Sequence, residues 1–493
     1  MSEVIIIGAG VNGLACAVEL ARAGKKVTVV EQRAEVGGLS AARRFSGFSV
    51  PGIRHDTNEI RPALIDALQL AAHGLKLAGH TPIYAAGPDG GLVLHHESDD
   101  AAPEIAKRSA KDAEAYAAFR RFTLRLRPVV DALLAKAAPP LLPNDLGDAY
   151  DMGRLGLKLR GLGRDDMLEL LRVAPMCVAD WLREMFETEI LSATLAFPAV
   201  AGDFVGPWSA GTSATLILQQ ALAVPGVVGG PAAVVDALSK ALASLGGTVR
   251  TSAKVAKVSL TNEAVSGVVL ASGETLKADA VVACCAPRTA LLDLLPRGAL
   301  GLADRQAAQN IRARGSVAKV HLGLKAAPKW SGRSERFARV RIGAHLDDLE
   351  RAFDAVKYRE VAEKPALDVA LFDDGAKVAV SVIAFGVPYE AEDRKLVEAR
   401  VLEQLEAHAP GVKASVEASE VLLPRDLEAE YGSRSVHHVE RALDQMLFMR
   451  PARPFARATT PVRGLLLGSS GCHPGPGVTL APGVIAARAL LSS

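Results

Sequence analysis

Aromatic residues make up only 4% of this chain's 493 positions, too few to build the stacked platform that grips nucleic-acid bases. An excess of either charge is also missing. Lys and Arg number 57 against 55 Asp and Glu, so the concentrated basic surface of a nucleic-acid-binding protein is absent and no such partner is expected. Cysteine is sparse: Cys16, Cys177, Cys284, Cys285 and Cys472 contain no C-x-x-C pair and no metal-ligand spacing with histidine. A thiol–disulfide reductase is disfavoured, no metal is expected, and the thiols read mainly as small buried hydrophobes in a reducing compartment. Cys284 and Cys285 fall in an expected strand and should point to opposite faces. No uninterrupted apolar run is long enough to span a bilayer. The apolar stretch 4–18 has no basic flank and is broken by Glu19, so it does not read as a secretion signal. We expect a soluble, cytoplasmic protein; peripheral membrane contact and homodimer formation stay open.

What is present begins at once. Residues 3–32 read EVIIIGAGVNGLACAVELARAGKKVTVVEQ. The spacing predicts a buried strand at 4–7, a glycine turn, a helix with Leu14, Ala17, Val18 and Ala21 on one face, and a second strand at 27–30. Gly8 permits the tight turn, Gly10 lets backbone approach a pyrophosphate, and Gly13 lets helix and strand pack closely. Val11 and Asn12 start the helix, whose unpaired N–H groups and dipole favour phosphate. Glu31, with Gln32 behind it, ends the second strand, where a carboxylate accepts from a ribose diol and repels a 2′-phosphate. Strand, helix and acid together make the full dinucleotide fingerprint, and the acid argues against NADP.

The next segment, EQRAEVGGLS, sets Gly37, Gly38, Leu39 and Ser40 just beyond Glu31. This second glycine pair resembles the extension in FAD flavoproteins of the amine oxidase and phytoene desaturase type, and it implies FAD rather than NAD. SGCHPGPGV at 470–478 is similar to the glycine- and proline-rich C-terminal element of phytoene desaturase-like flavoproteins. PGIRHD and HVERALDQMLFMRPARP resemble a narrower branch, that of pyridine nucleotide-disulfide oxidoreductase domain-containing protein 2. The resemblance implies an α/β fold: a discontinuous Rossmann-like FAD-binding domain with an inserted α+β substrate domain of mixed sheet plus helical insertion. The expected FAD-binding parts are 1–75, 226–299 and 456–493. A mainly helical lid insertion is expected at 76–225 and the substrate domain at 300–455. By the same resemblance Val255, Gly471, Gly475, Gly477 and Val478 lie against the cofactor. Two departures stand out: Pro476 replaces a family glycine and removes an N–H, and Cys472 stands where the family has Thr or a small residue.

Four side chains are candidates for chemistry. Lys319 sits in an apolar strand, VAKVHLGL, similar in context to the amine oxidase lysine that holds a water at the flavin; the alternative is a packed stem with a solvated head. His55 and Asp56 fall in the loop that in the family lies beside the flavin, where Asp56 is as well suited to capping the next helix. His473 is near the ring by analogy, as a base or as an orienting hydrogen-bond donor. His437 and His438 are weaker candidates. Leu168, Leu171, Met176, Trp181 and Met185 suggest either an apolar tunnel or, more simply, helix core. The expected activity is FAD-dependent dehydrogenation or desaturation of an apolar, polyene- or lipid-like small molecule. An amine oxidase forming C=N, a redox-neutral isomerase and a non-catalytic flavoprotein scaffold are the alternatives.

Overall fold

The computed structural model describes residues 3–492 except Pro88, Leu141, Asn144, Asp374 and Ala376. The strand Glu3–Ile7 is the centre of a five-stranded parallel sheet, between Ala280–Ala283 and Lys26–Val30, with Leu465–Leu467 and Thr248–Arg250 at the edges. In chain order this is the doubly wound arrangement 3-2-1-4-5, assembled from segments at the two ends and the middle of the chain. Burial explains the run of isoleucines. Val4 and Ile6 pack with the helices Val11–Arg22, Gly230–Ser244 and Ala481–Leu491. Ile5 and Ile7 face the other way, into Val258, Val268 and Val281. Each such fully buried side chain contributes roughly 1.5–3 kcal/mol.

That second face is covered by an antiparallel three-stranded sheet, Val255–Thr261, Ala264–Leu270 and Thr275–Lys277. The stretch 248–261 thus forms two strands in two different sheets. The chain turns between them at Ser252, with φ +51°, and Ala253 N–H donates to Glu31 O at 2.8 Å. Cys284 and Cys285 lie just past the end of their strand rather than inside it.

The second domain is built on a mixed seven-stranded sheet in the order Val416–Leu422, Val317–Leu324, Val378–Phe385, Ala366–Asp373, Arg339–Ile342, Ile83–Ala86, Leu92–Leu94. The last two strands come from the first insertion, so both insertions share one sheet. Every residue of Val317–Leu324 is buried, which is why it lacks polar alternation. Helices Ala110–Leu134, Val178–Met185, Glu189–Val200 and Thr212–Leu222 pack together around Phe119 and Trp181, whose rings are 5.4 Å apart. Trp181 is core with Met176 and Met185 packed against the same cluster, while Leu168 and Leu171 face solvent, so the five residues form neither one tunnel nor one packed stripe.

Candidate active site

A cleft opens at the carboxyl ends of Glu3–Ile7 and Ala280–Ala283, the switch point where an open α/β sheet binds ligands. Gly8 adopts φ +100°, and a Cβ on Gly13 would stand 1.9 Å from Gly8 O, so strand and helix touch through backbone there. A Cβ on Gly10 would meet nothing within 4 Å; that glycine faces the open cleft. The helix behind it has no side-chain cap and no acid in its first turn, which leaves its leading N–H groups for an anion. Buried Glu31 accepts from Ala9 N–H at 2.8 Å and from Arg33 N–H at 2.9 Å. Those two bonds pin it to the turn and leave lone pairs for a diol. Asn12 Oδ1 and Arg33 Nη1 are buried without a partner. This donor set fits the ADP half of a dinucleotide.

Of the residues expected at the cofactor, Gly8, Gly10, Val11, Asn12, Gly13, Glu31, Gln32, Gly37, Gly38, Leu39, Ser40, Val255, Gly477 and Val478 line the cleft. Two do not. Gly471 packs against Pro287, and Gly475 borders a separate apolar cavity; Ser470, Cys284 and Cys285 line the cleft in addition. The tail is held to the opening turn directly: Asn12 Nδ2 donates to Ser470 Oγ at 3.1 Å, and a Cβ on Gly483 would stand 1.9 Å from Asn12 O. Buried Arg450 fastens the tail from below. Its guanidinium donates to the carbonyls of His437, Val439, Glu440, Gln445 and Ser470 at 3.0–3.3 Å.

Arg54 and Val436 border both the cleft and a second chamber of about 360 Å³ against the seven-stranded sheet. The chamber wall is charged, with Arg54, Asp56, Arg339, Arg341 and Asp368. A narrower arm, lined by Leu134, Leu218, Leu222 and Met446, meets it at Glu59, Gln219, Arg441 and Pro476. An apolar ligand accounts for the arm and leaves the charged chamber unexplained.

Lys319 is buried, and its Nζ bonds His55 Nε2. The contact continues from His55 through Ser381 Oγ at 3.2 Å to His321 Nδ1 at 3.0 Å. Burial drives Lys319 well below the usual ammonium range; burial and the neighbouring Lys319 charge drive His55 down too, and His321 falls to about 2. Lys319 is on neither cavity wall and reaches the chamber through His55, so an imidazole is its partner. Asp56 does not cap a helix, since Arg61 holds that place on Pro62–Ala67. It pairs with Arg339 at 2.6 and 3.3 Å, while the same guanidinium holds Asp368 at 2.9 and 2.7 Å. Burial works to raise Asp56, and Arg339 and Arg341 outweigh it, so its pKa stays low. His473 is buried away from both cavities; its Nε2 donates to Leu133 O at 3.2 Å and burial lowers it to about 4. Its place is structural.

Three groups stand out beyond the main sequence candidates: two escaped that reading, and His437 is only a weaker candidate in it. Glu59 borders chamber and arm, Oε2 has no hydrogen bond, and burial raises its pKa. His437 lines the chamber and bonds Asp203 at 3.0 and 3.1 Å through Nδ1, with Arg441 on the same carboxylate. Arg341 is the third. His80, His96 and Glu97 have donor atoms within 4.8 Å of one another, yet Arg120 Nη2 donates to His96 Nε2 at 2.8 Å and takes that nitrogen from any metal.

Residues 12–488 match the family described as flavin containing amine oxidoreductase. The chain is 30% identical to pyridine nucleotide-disulfide oxidoreductase domain-containing protein 2 of Mus musculus, over 99% of this chain and 92% of that protein. It is 26% identical to a lycopene-forming phytoene desaturase of Paracoccus sp. (strain N81106 / MBIC 01143), over 98% and 94%. Cyclohexylamine oxidase from Brevibacterium oxydans IH-35A shares the fold, with TM-score 0.61 and 17% identity over 100% of this chain and 98% of that one.

Proposed function

This chain belongs to the flavin-containing amine oxidoreductases and is an FAD-dependent enzyme, and from that premise we propose that it desaturates a substrate whose apolar part lies in the arm. The carrying observation is adjacency: the cleft and the chamber share Arg54 and meet at the Pro476–Gly477 step, and the chamber shares Glu59, Gln219, Arg441 and Pro476 with an apolar cavity. Bound FAD supplies a two-electron acceptor for hydride. The uncapped helix start and Glu31 are the groups that would hold the dinucleotide.

Forming C=C removes a hydride and a proton from adjacent carbons, and the proton needs an acceptor. Glu59 suits that task. It stands at the junction of chamber and arm, its Oε2 is free of hydrogen bonds, and its raised pKa makes it a better base than an ordinary carboxylate. Asp56 and Asp368 are both taken by Arg339, and burial disfavours the charged form of the remaining carboxyl, Glu59, so the site offers poor holds for the ammonium of an amine and C=C formation is favoured over C=N.

Anaerobic mixing of the purified holoenzyme with saturated and partly unsaturated chain substrates should bleach the oxidised flavin band and yield a product two hydrogens lighter. Bleaching by amines alone, with peroxide released on adding air, would overturn this reading.

A further inference from the structure

We propose that the chamber recognises a carboxylate on the substrate, and that Arg341 is the group that grips it. The inference rests on reading the chamber as the substrate site. It makes the substrate an apolar chain ending in a carboxylate, with the chain in the arm and the head against the sheet.

Arg339 and Arg341 sit two residues apart on Arg339–Ile342 and so share a sheet face. Their situations differ. Both terminal nitrogens of Arg339 are held by two aspartates, and only its Nε is unbonded. Arg341 is 8% exposed, and Nη1 donates to Thr194 O at 2.6 Å. Its Nε donates to nothing, and among the described residues it has no salt bridge. Its carbon stands 5.6 Å from the centroid of the Phe197 ring, a packed seat in which the charges of Asp368 and Asp56 reach it but neither carboxylate is bonded to it. Burial lowers its pKa from the usual guanidinium value, the mark of a cation short of compensation. Arg54, on the side of the chamber nearest the cleft, likewise has no salt bridge among the described residues.

A buried guanidinium with a free edge is costly to maintain unless an anion completes it. A carboxylate matches that edge with two parallel N–H···O bonds. Phosphate is the poorer match: Asp368 and Asp56 already act on Arg341, and a dianion would be repelled by both.

Isothermal titration calorimetry on the purified holoenzyme, with decanoate, decanamide, decyl phosphate and decylamine as probes, tests this. Decanoate should bind about tenfold or more tighter than decanamide. That preference should vanish in Arg341→Gln and survive in part in Arg341→Lys. Equal binding of acid and amide by the unmodified enzyme overturns the inference, as does a preference that persists in Arg341→Gln, tighter binding of decyl phosphate or decylamine, or binding of none of the four. Should Arg341→Gln fail to fold, the acid–amide comparison decides alone. An enzyme that prefers decanoate yet is never reduced by any substrate sinks the desaturase reading and leaves this one. An enzyme reduced by neutral chains with no such preference does the reverse.

Discussion

Oε2 of Glu59 lies 1.7 Å from the point that a Cβ on residue 477 would occupy, so Gly477 is glycine because the carboxylate needs the space. Gly477 lines the cofactor cleft and Glu59 the chamber, and this contact is where the two cavities are fitted together. Glu59→Gln should keep the flavin and slow anaerobic reduction by roughly 10²–10⁴-fold, the usual worth of a positioned base. In the unmodified enzyme the reduction rate should rise with pH through a pKa above the ordinary glutamate value, because the carboxylate must be ionised to accept. Stopped-flow pH profiles should lose that limb in Glu59→Gln. Gly477→Ala should displace the carboxylate and mimic part of the loss.

Two glycines of the opening turn should respond differently to one methyl group. On Gly13 it collides with Gly8 O, and the forced backbone shift should cost about 1–3 kcal/mol together with most of the bound flavin. On Gly10 it enters open cleft, so Gly10→Ala should unfold at nearly the parental temperature while holding less flavin. Thermal unfolding of the apoprotein and the flavin-to-protein absorbance ratio separate the outcomes.

Lys319 predicts a pH dependence of stability. Its pKa is lowered on folding, so between that lowered value and the unfolded value of 10.5 the unfolded chain binds the extra proton, and stability rises with pH. The gain is complete above 10.5 and is lost as pH falls through the folded pKa. Lys319→Met should flatten this slope. Urea midpoints across that alkaline window, compared between the two proteins, check it.

Arg450→Met leaves five carbonyls without their shared donor, and the loss should be roughly 3 kcal/mol or more by urea unfolding. Flavin should leave more readily as well, since Ser470 is one of the five and also borders the cleft.

The cofactor half was legible in the sequence because its signals are local: Gly8, Gly10, Gly13 and Glu31 act through spacing along one strand–helix–strand unit. The chamber was not. Arg54, Asp56, Arg341, Asp368 and His437 arrive from separate segments, and their meeting depends on how strands of the first insertion join the sheet of the second. Lys319 was found by its oddness inside an apolar strand, but its imidazole partner lies 264 positions away. Glu59 sat unnoticed two residues after Thr57; only the buried, unbonded oxygen marks it. Gly471 and Gly475 were carried over from a loop pattern, and the Pro474 and Pro476 frame around Gly475 turns that glycine toward the arm.

The Asn12–Ser470 contact joins residues 458 positions apart, which bears on how the enzyme is made. During synthesis the opening βαβ unit leaves the ribosome long before its last strand and closing helix exist, so the nascent chain carries a half-finished dinucleotide seat. The seat therefore gains its full set of contacts only once the segment 465–491 has packed against the parallel sheet and the opening turn.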